Sequence, residues 1–165
     1  MRPVEMFSYR FYYDPTLIRM IHLKPRREVI VVKVKTKCLA NAALDWAIAK
    51  CESLPVVRDP MGFKAGSESG YWVWDERNKK PIYMLIGREY SPSKKWEQGG
   101  AFIEKYDVFP SRYHGCAENN PEKFQAGVGL CWMRGESPLI AVSRSVVASV
   151  LGDEIEVPEI LVSRP

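Results

Sequence analysis

From Asn41 to Cys51 the chain reads N-A-A-L-D-W-A-I-A-K-C, in which Leu44, Ala47, Ile48 and Cys51 recur at helical spacing. The spacing predicts an alanine-rich helix with these residues as its core stripe. Asn41 stands as its N-cap, and Asn41, Asp45 and Glu52 fall on the polar face. Trp46 lies at the flank, where an indole usually packs at a boundary. A second helix is predicted over Pro138–Leu151, with Ser137 as N-cap, Pro138 at the first helical position and Gly152 as the stop. Leu139, Val142, Val146 and Val150 form its ridge, widened by Ile140, Val147 and Leu151, while Arg144 and Ser145 face outward. Its valines lower intrinsic helix propensity, so burial must hold it in place.

Elsewhere the apolar pattern shortens to the period of strands. Residues 29–34, 71–74, 82–86, 101–106 and 128–133 are short runs rich in aromatic or branched side chains, bounded by turn formers. Residues 75–81 (D-E-R-N-K-K-P) read as a polar hairpin connection. Alternation puts Trp72 and Trp74 on one face, read as core rather than as an exposed aromatic platform. Residues 58–70 and 111–127 read as loops. The expectation is an α+β fold: a small antiparallel sheet of about four or five strands with two helices packed on one face.

Composition fits this picture. A chain of 165 residues, 46% of them hydrophobic, supports one domain with a substantial core. The net charge of +4 suggests nucleic acid until its placement is considered. Residues 1–31 carry six basic and three acidic side chains out of 24 and 20 in the whole chain, leaving the rest close to neutral. Such a body lacks the broad basic field of a phosphate-backbone binder. The apolar stretch at residues 17–23 is broken by Arg19 and His22 and is far short of a membrane span, and no cleavage signal follows it. A cytoplasmic protein is the expectation. Cys38, Cys51, Cys116 and Cys131 show no tight pairing and read as free buried thiols.

Catalytic chemistry is hard to assemble from these residues. His114 and Cys116 could share one side of an extended segment, but zinc needs about four ligands and no further metal spacing supplies them. A Cys–His dyad two residues apart on a strand rarely reaches hydrogen-bond geometry. Phosphate-binding loop, dinucleotide fingerprint and nucleophile elbow are all missing. Asp153, Glu154 and Glu156 read as solvated residues after a helix stop. The sequence therefore predicts a non-enzymatic protein with no metal and no cofactor.

The stretch Y-S-P-S-K-K-W-E-Q-G-G, residues 90–100, carries the best candidate site. Trp96 could stack on a planar group, and the Gln98 amide could both donate and accept. Gly99 and Gly100 could bring bare N–H groups to a ligand, and Lys94 or Lys95 could supply charge. With Tyr90, Ser91 and Ser93 these residues would suit a flat, anionic or nucleotide-like molecule. In the competing reading the glycines merely turn the chain into a strand at Ala101 while Trp96 fills a core gap.

Four blocks together resemble the NinX family of lambda-like phages and prophages. They are Val34-Lys35-Thr36 followed by A-L-D-W-A-I-A-K, the central S-P-S-x-x-W-x-Q-G-G, the S-P-L-I-A that opens the second helix, and the ending L-G-D-E-I-E-V-P-E. The resemblance covers most of residues 32–160. It implies a phage origin and a bacterial cytoplasmic setting, and no particular activity. Members similar to this chain usually begin near V-K-V-K-T, which marks residues 1–31 as an N-terminal extension, with Val32 or Val34 as an alternative start, and residues 32–165 as a single NinX-like α+β domain. Lys94-Lys95 stands where relatives are expected to have an acidic residue beside the Trp, and Ala101-Phe102 where Pro-Ile is more usual.

Three function classes follow. The first is an accessory protein that binds a small anionic ligand or nucleotide, with a pocket at Trp96, Gln98 and Gly99 that could lie at a homo-oligomer interface. The second is a protein-binding modulator of a host or phage machine, anchored by exposed aromatics such as Trp72, Trp74 or Tyr90. The third, a nucleic-acid accessory protein, would need Lys33, Lys35, Lys37, Lys79, Lys80, Lys94 and Lys95 to cluster.

Overall fold

The helix at the centre of the molecule is the one with the clearest end signals. The computed structural model describes residues 29–60, 62, 70–75, 82–115 and 119–162. In chain order the elements are β1 (Val31–Lys35), α1 (Asn41–Cys51), β2 (Val56–Arg58), β3 (Tyr71–Asp75), β4 (Ile82–Leu85), α2 (Trp96–Gly99), α3 (Ala101–Lys105), β5 (Ser111–Arg112), β6 (Phe124–Val128), β7 (Cys131–Gly135), α4 (Pro138–Leu151), β8 (Glu154–Pro158) and α5 (Glu159–Val162). The fold class is α+β, as the sequence predicts.

Ser137 caps α4 by accepting a hydrogen bond from the Ile140 N–H at 3.2 Å, Pro138 opens the helix, and Gly152 ends it at φ 96°. One side of α4 lies on β6 and β7, and the helix also packs against α1. The approach to β7 is close: a Cβ at Gly135 would come within 2.6 Å of the Ala141 backbone nitrogen. Leu139, Val142, Val146 and Val147 are buried with Leu44, Ala47 and Ile48 of α1. Val150 and Leu151, expected in the ridge, are exposed, because the helix outruns the layer beneath it.

The polar positions of both helices correct the sequence reading. Arg144 and Ser145 are buried rather than outward. Arg144 donates through Nε to Leu39 O at 3.0 Å and through Nη1 to Arg134 O at 2.7 Å and Glu122 Oε1 at 2.8 Å. One guanidinium thus fastens three separate segments to α4. Ser145 Oγ lies 2.7 Å from Ala126 O on β6. Asp45 is fully buried, and the Glu52 side chain is nearly so, accepting from Lys105 Nζ at 2.7 Å and from the Tyr106 hydroxyl at 2.7 Å. Helical spacing identifies a polar face but not whether another polar segment will cover it. The cap position of α1 falls on Ala40. Asn41 instead takes a left-handed backbone, φ 48°, that asparagine tolerates well.

Among the described residues, eight strands form three antiparallel sheets, β1–β8, β2–β3–β4 and β5–β6–β7, rather than one. The predicted strands at 71–74 and 82–86 pair as β3 and β4, with Trp72 opposite Leu85 and Trp74 opposite Tyr83. Their proposed connection at 76–81 lies outside the described residues, as do residues 63–69 of the first predicted loop. Tyr71 and Val73 join the main core cluster. On the other face Trp72 is buried and Trp74 half-buried, its ring 4.5 Å from that of Tyr83.

Four further expectations are corrected. Residues 101–105 form α3, with Tyr106 as its C-cap, and not a strand. Phe102 and Tyr106 lie one helical turn apart in edge-on contact at 6.2 Å, and the turn supplied by α2 starts the helix. The run at 128–133 is broken by a hairpin turn: Gly129 at φ 58° reverses the chain between β6 and β7. The loop assigned to 111–127 contains β5 and most of β6. After Gly152, Glu154 and Glu156 belong to β8, whose Ile155 and Val157 are buried; that polar–apolar alternation was a strand signal.

Candidate functional site

The central stretch is built as a clip, and most of its polar groups serve the fold. Leu85 O receives hydrogen bonds from the N–H groups of Glu89 and Tyr90, both at 3.1 Å, which tightens the turn after β4. Gly87 sits there at φ 87°, against Ala42 of α1. Ser91, Pro92 and Ser93 then dock onto α1. The Ser91 hydroxyl donates to Asp45 Oδ2 and the Ser93 N–H to Asp45 Oδ1, both at 2.9 Å. Burial pushes the Asp45 carboxyl above its ordinary range, and the hydrogen bonds from Ser93 and Ser91, together with the Lys94 charge, oppose that shift.

Gln98 closes the clip. Its Oε1 accepts from the Ser91 N–H at 2.7 Å and its Nε2 donates to Glu89 O at 2.7 Å. Lys95 Nζ donates to Arg88 O at 2.7 Å and Glu89 O at 2.9 Å. The glycine N–H groups are occupied within the helical turn, Gly99 with Lys95 O and Gly100 with Trp96 O, each at 2.9 Å. Gly99 is required by contact, since a Cβ would run into Pro92 O and lie 3.1 Å from Leu139 of α4. Neither glycine presents a bare N–H, and the chain leaves them into α3 rather than a strand. Tyr90, Ser91 and Ser93 are buried.

Trp96 stands apart. At 57% exposed it fills no core gap. Its ring borders an open groove of about 520 Å³ lined also by Gly100, Ile103, Glu104, Asp107 and Phe109. The backbone at the end of α3 shapes the far wall. Asp107 turns left-handed at φ 51°, the Val108 N–H returns to Ile103 O at 2.9 Å, and Val108 is fully buried. That anchor leaves Phe109 outside, 73% exposed. The groove offers two aromatic rings and an apolar floor beside two carboxylates, with no lysine in its lining. It is equipped to bind an apolar group with positive charge nearby.

Of the eight residues proposed from sequence, the fold brings Tyr90, Ser91, Ser93, Lys95, Gln98 and Gly99 together in the clip, and Trp96 and Gly100 in the groove. Ile103, Glu104, Asp107 and Phe109 were missed. Their signal was the D-V-F-P run directly after an apolar segment, hidden once 101–106 was read as a strand. Trp72, Trp74 and Tyr90, considered as exposed anchors, are buried or half-buried.

No cluster of three or more metal-ligating side chains occurs among the described residues. Cys116 lies outside them. Cys38, Cys51 and Cys131 are free, but none is fully buried: Cys38 is exposed, and Cys51 and Cys131 are half-buried. Burial, aided by the Glu52 charge, pushes the Cys51 thiol up to about 12, so it stays protonated and unreactive. Among the described residues no helix is long and apolar enough to cross a membrane.

A search of curated proteins finds no match to this chain. A family model described as Bacteriophage P22, NinX matches residues 35–150, from the end of β1 nearly to the end of α4.

Proposed function

Starting from the fact that this chain belongs to the family of the bacteriophage P22 protein NinX, we propose that it is a non-enzymatic phage accessory protein acting in the bacterial cytoplasm, and that it binds a segment of another protein in the groove between Trp96 and Phe109. The observation that carries this reading is the contrast within one motif. Ser91, Ser93, Gln98 and Gly99 are consumed by folding, whereas Trp96 is held out to solvent beside an apolar groove. Exposed aromatics around a concave apolar surface are the usual anchors of protein recognition. Glu104 and Asp107 select a partner segment with apolar and basic side chains.

The second reading, a flat anionic or nucleotide-like ligand, draws on the open indole of Trp96 and the exposed Lys94. It is the weaker, because the groove lining is acidic and the Lys95 ammonium and Gln98 amide are occupied.

Affinity capture from phage-infected bacteria, followed by titration of the purified partner, tests the proposal, with native mass spectrometry of the same preparation reporting any retained small molecule. Trp96→Ala and Phe109→Ala should each weaken the purified partner by about 2 kcal/mol or more. A partner that binds both variants as tightly as the original chain overturns the groove assignment. A small-molecule adduct lost on Trp96→Ala would replace it with the second reading.

A further inference from the structure

The three-stranded β5–β6–β7 sheet has one face against α4 and one toward solvent, and the register decides which residues lie on each. Ala126 and Gly135 face α4, where Ala126 is fully buried and Gly135 meets Ala141 and Ile140. Alternation then sends Gln125, Gly127, Trp132 and Arg134 outward, with Gln125 opposite both Ser111 and Arg134, and Gly127 opposite Trp132. The Tyr113 N–H donates to Lys123 O at 2.9 Å, extending the ladder so that Tyr113 and Lys123 join the outward face.

Two arrangements on this face are built rather than incidental. The Trp132 indole lies flat across Gly127: a Cβ there would come within 2.7 Å of the ring, so only glycine lets the indole settle onto the sheet. One ring face is covered and the other is open, leaving Trp132 62% exposed. Arg134 is stacked over Tyr113, its guanidinium carbon 3.7 Å from the ring centroid. Among the described residues neither Arg134 nor Lys123 contacts a carboxylate. Glu122 is bound to Arg144, and Glu136 lies beyond the end of β7.

We propose that this face binds single-stranded nucleic acid. A base stacks on the open side of Trp132, Arg134 and Lys123 neutralise adjacent phosphates, and the Gln125 amide, 3.3 Å from Ser111 Oγ, hydrogen-bonds a base edge. A flat sheet suits this role because successive outward side chains meet successive bases, and stacking does not require a strongly basic protein. Arginine held on an aromatic ring is already ordered, so little rotamer freedom is lost when a phosphate arrives. The residues differ from those of the Trp96 groove, and the inference stands or falls independently of it.

Fluorescence anisotropy of the full chain with short fluorescein-labelled oligothymidylate and oligouridylate, at low and at physiological salt, tests the assignment. A hairpin duplex of the same length serves as comparison. Binding of at least one single strand is expected, weakened roughly tenfold by Trp132→Ala and largely retained by Trp132→Phe. Arg134→Gln should lower the slope of log affinity against log salt by about 0.7. Trp96→Ala should leave binding unchanged, and circular dichroism should show every variant folded, since the altered side chains lie outside the core. No binding at low salt, equal affinity for the duplex, or indifference to both Trp132→Ala and Arg134→Gln overturns the proposal.

Discussion

Asp45 shows how one buried side chain can organise a neighbourhood. It sits on α1 with no exposed surface and holds Ser91 and Ser93. Asp45→Ala should destabilise the protein by about 1–3 kcal/mol, because the Ser93 N–H is left buried without an acceptor. Asp45→Asn keeps an acceptor for that N–H, and the Ser91 hydroxyl can reverse and accept from the amide. Its comparison with the original chain is a pH experiment. The folded carboxyl has a raised pKa, so the folded state holds the proton to higher pH than the unfolded state. The stability this confers is present in acid, falls as pH rises above the unfolded value of 3.8, and is gone above the folded value. Urea denaturation across that window should therefore show Asn gaining on Asp as pH increases. A stability of Asn relative to Asp that stays constant or falls with pH would show that the carboxylate is not desolvated in the fold. No spacing rule exposed this role, because Asp45 is buried by a segment 46 and 48 residues away in sequence.

Elements with their own punctuation were legible from the chain. The α4 helix was readable end to end because Ser137, Pro138 and Gly152 mark it locally, and β3 and β4 because alternation and turn formers bound them. The segment from α2 to α3 was not. Its apolar residues at 102, 103 and 106 suit either a helix or a strand, and only the close packing of Gly99 under Pro92 fixes the helical turn that precedes them. Gly99→Ala tests that explanation. The added methyl meets a backbone carbonyl, which cannot step aside as a flexible side chain would, and the expected loss is about 1–3 kcal/mol in chemical denaturation. A loss below about 0.5 kcal/mol would show that the clip gives way to the methyl and would sink the contact explanation.

At the scale of the whole molecule, the ladder of β1 with β8 fastens the two ends of the described chain. Val31 lies opposite Pro158 and Lys35 opposite Glu154, the Glu159 N–H donates to Ile30 O at 3.0 Å, and Thr36 Oγ1 donates to Gly152 O at 2.6 Å. A chain beginning at Lys35 should melt several degrees lower than one beginning at Val29, because Ile155 and Val157 lose their covering strand. Identical midpoints for the two would show that the ladder contributes no net stability. The sequence contained both strands, yet their pairing and the division into three sheets were invisible, because partners so far apart are chosen by the packed whole. The candidate site suffered the same way: Trp96 was visible as a residue, but Phe109 became its neighbour only through the turn at Asp107 and Val108.

The β1–β8 ladder also has a consequence in time. On the ribosome β1 emerges more than a hundred residues before its partner. Closing so long a loop is entropically costly, which makes this ladder a late event in folding. Until β8 arrives, V-V-K-V-K is an unsatisfied strand edge in a crowded cell, of the kind that recruits other chains. Lys33 and Lys35, exposed on alternate positions of that strand, place charge where a mispaired neighbour would have to bury it. They let the strand wait.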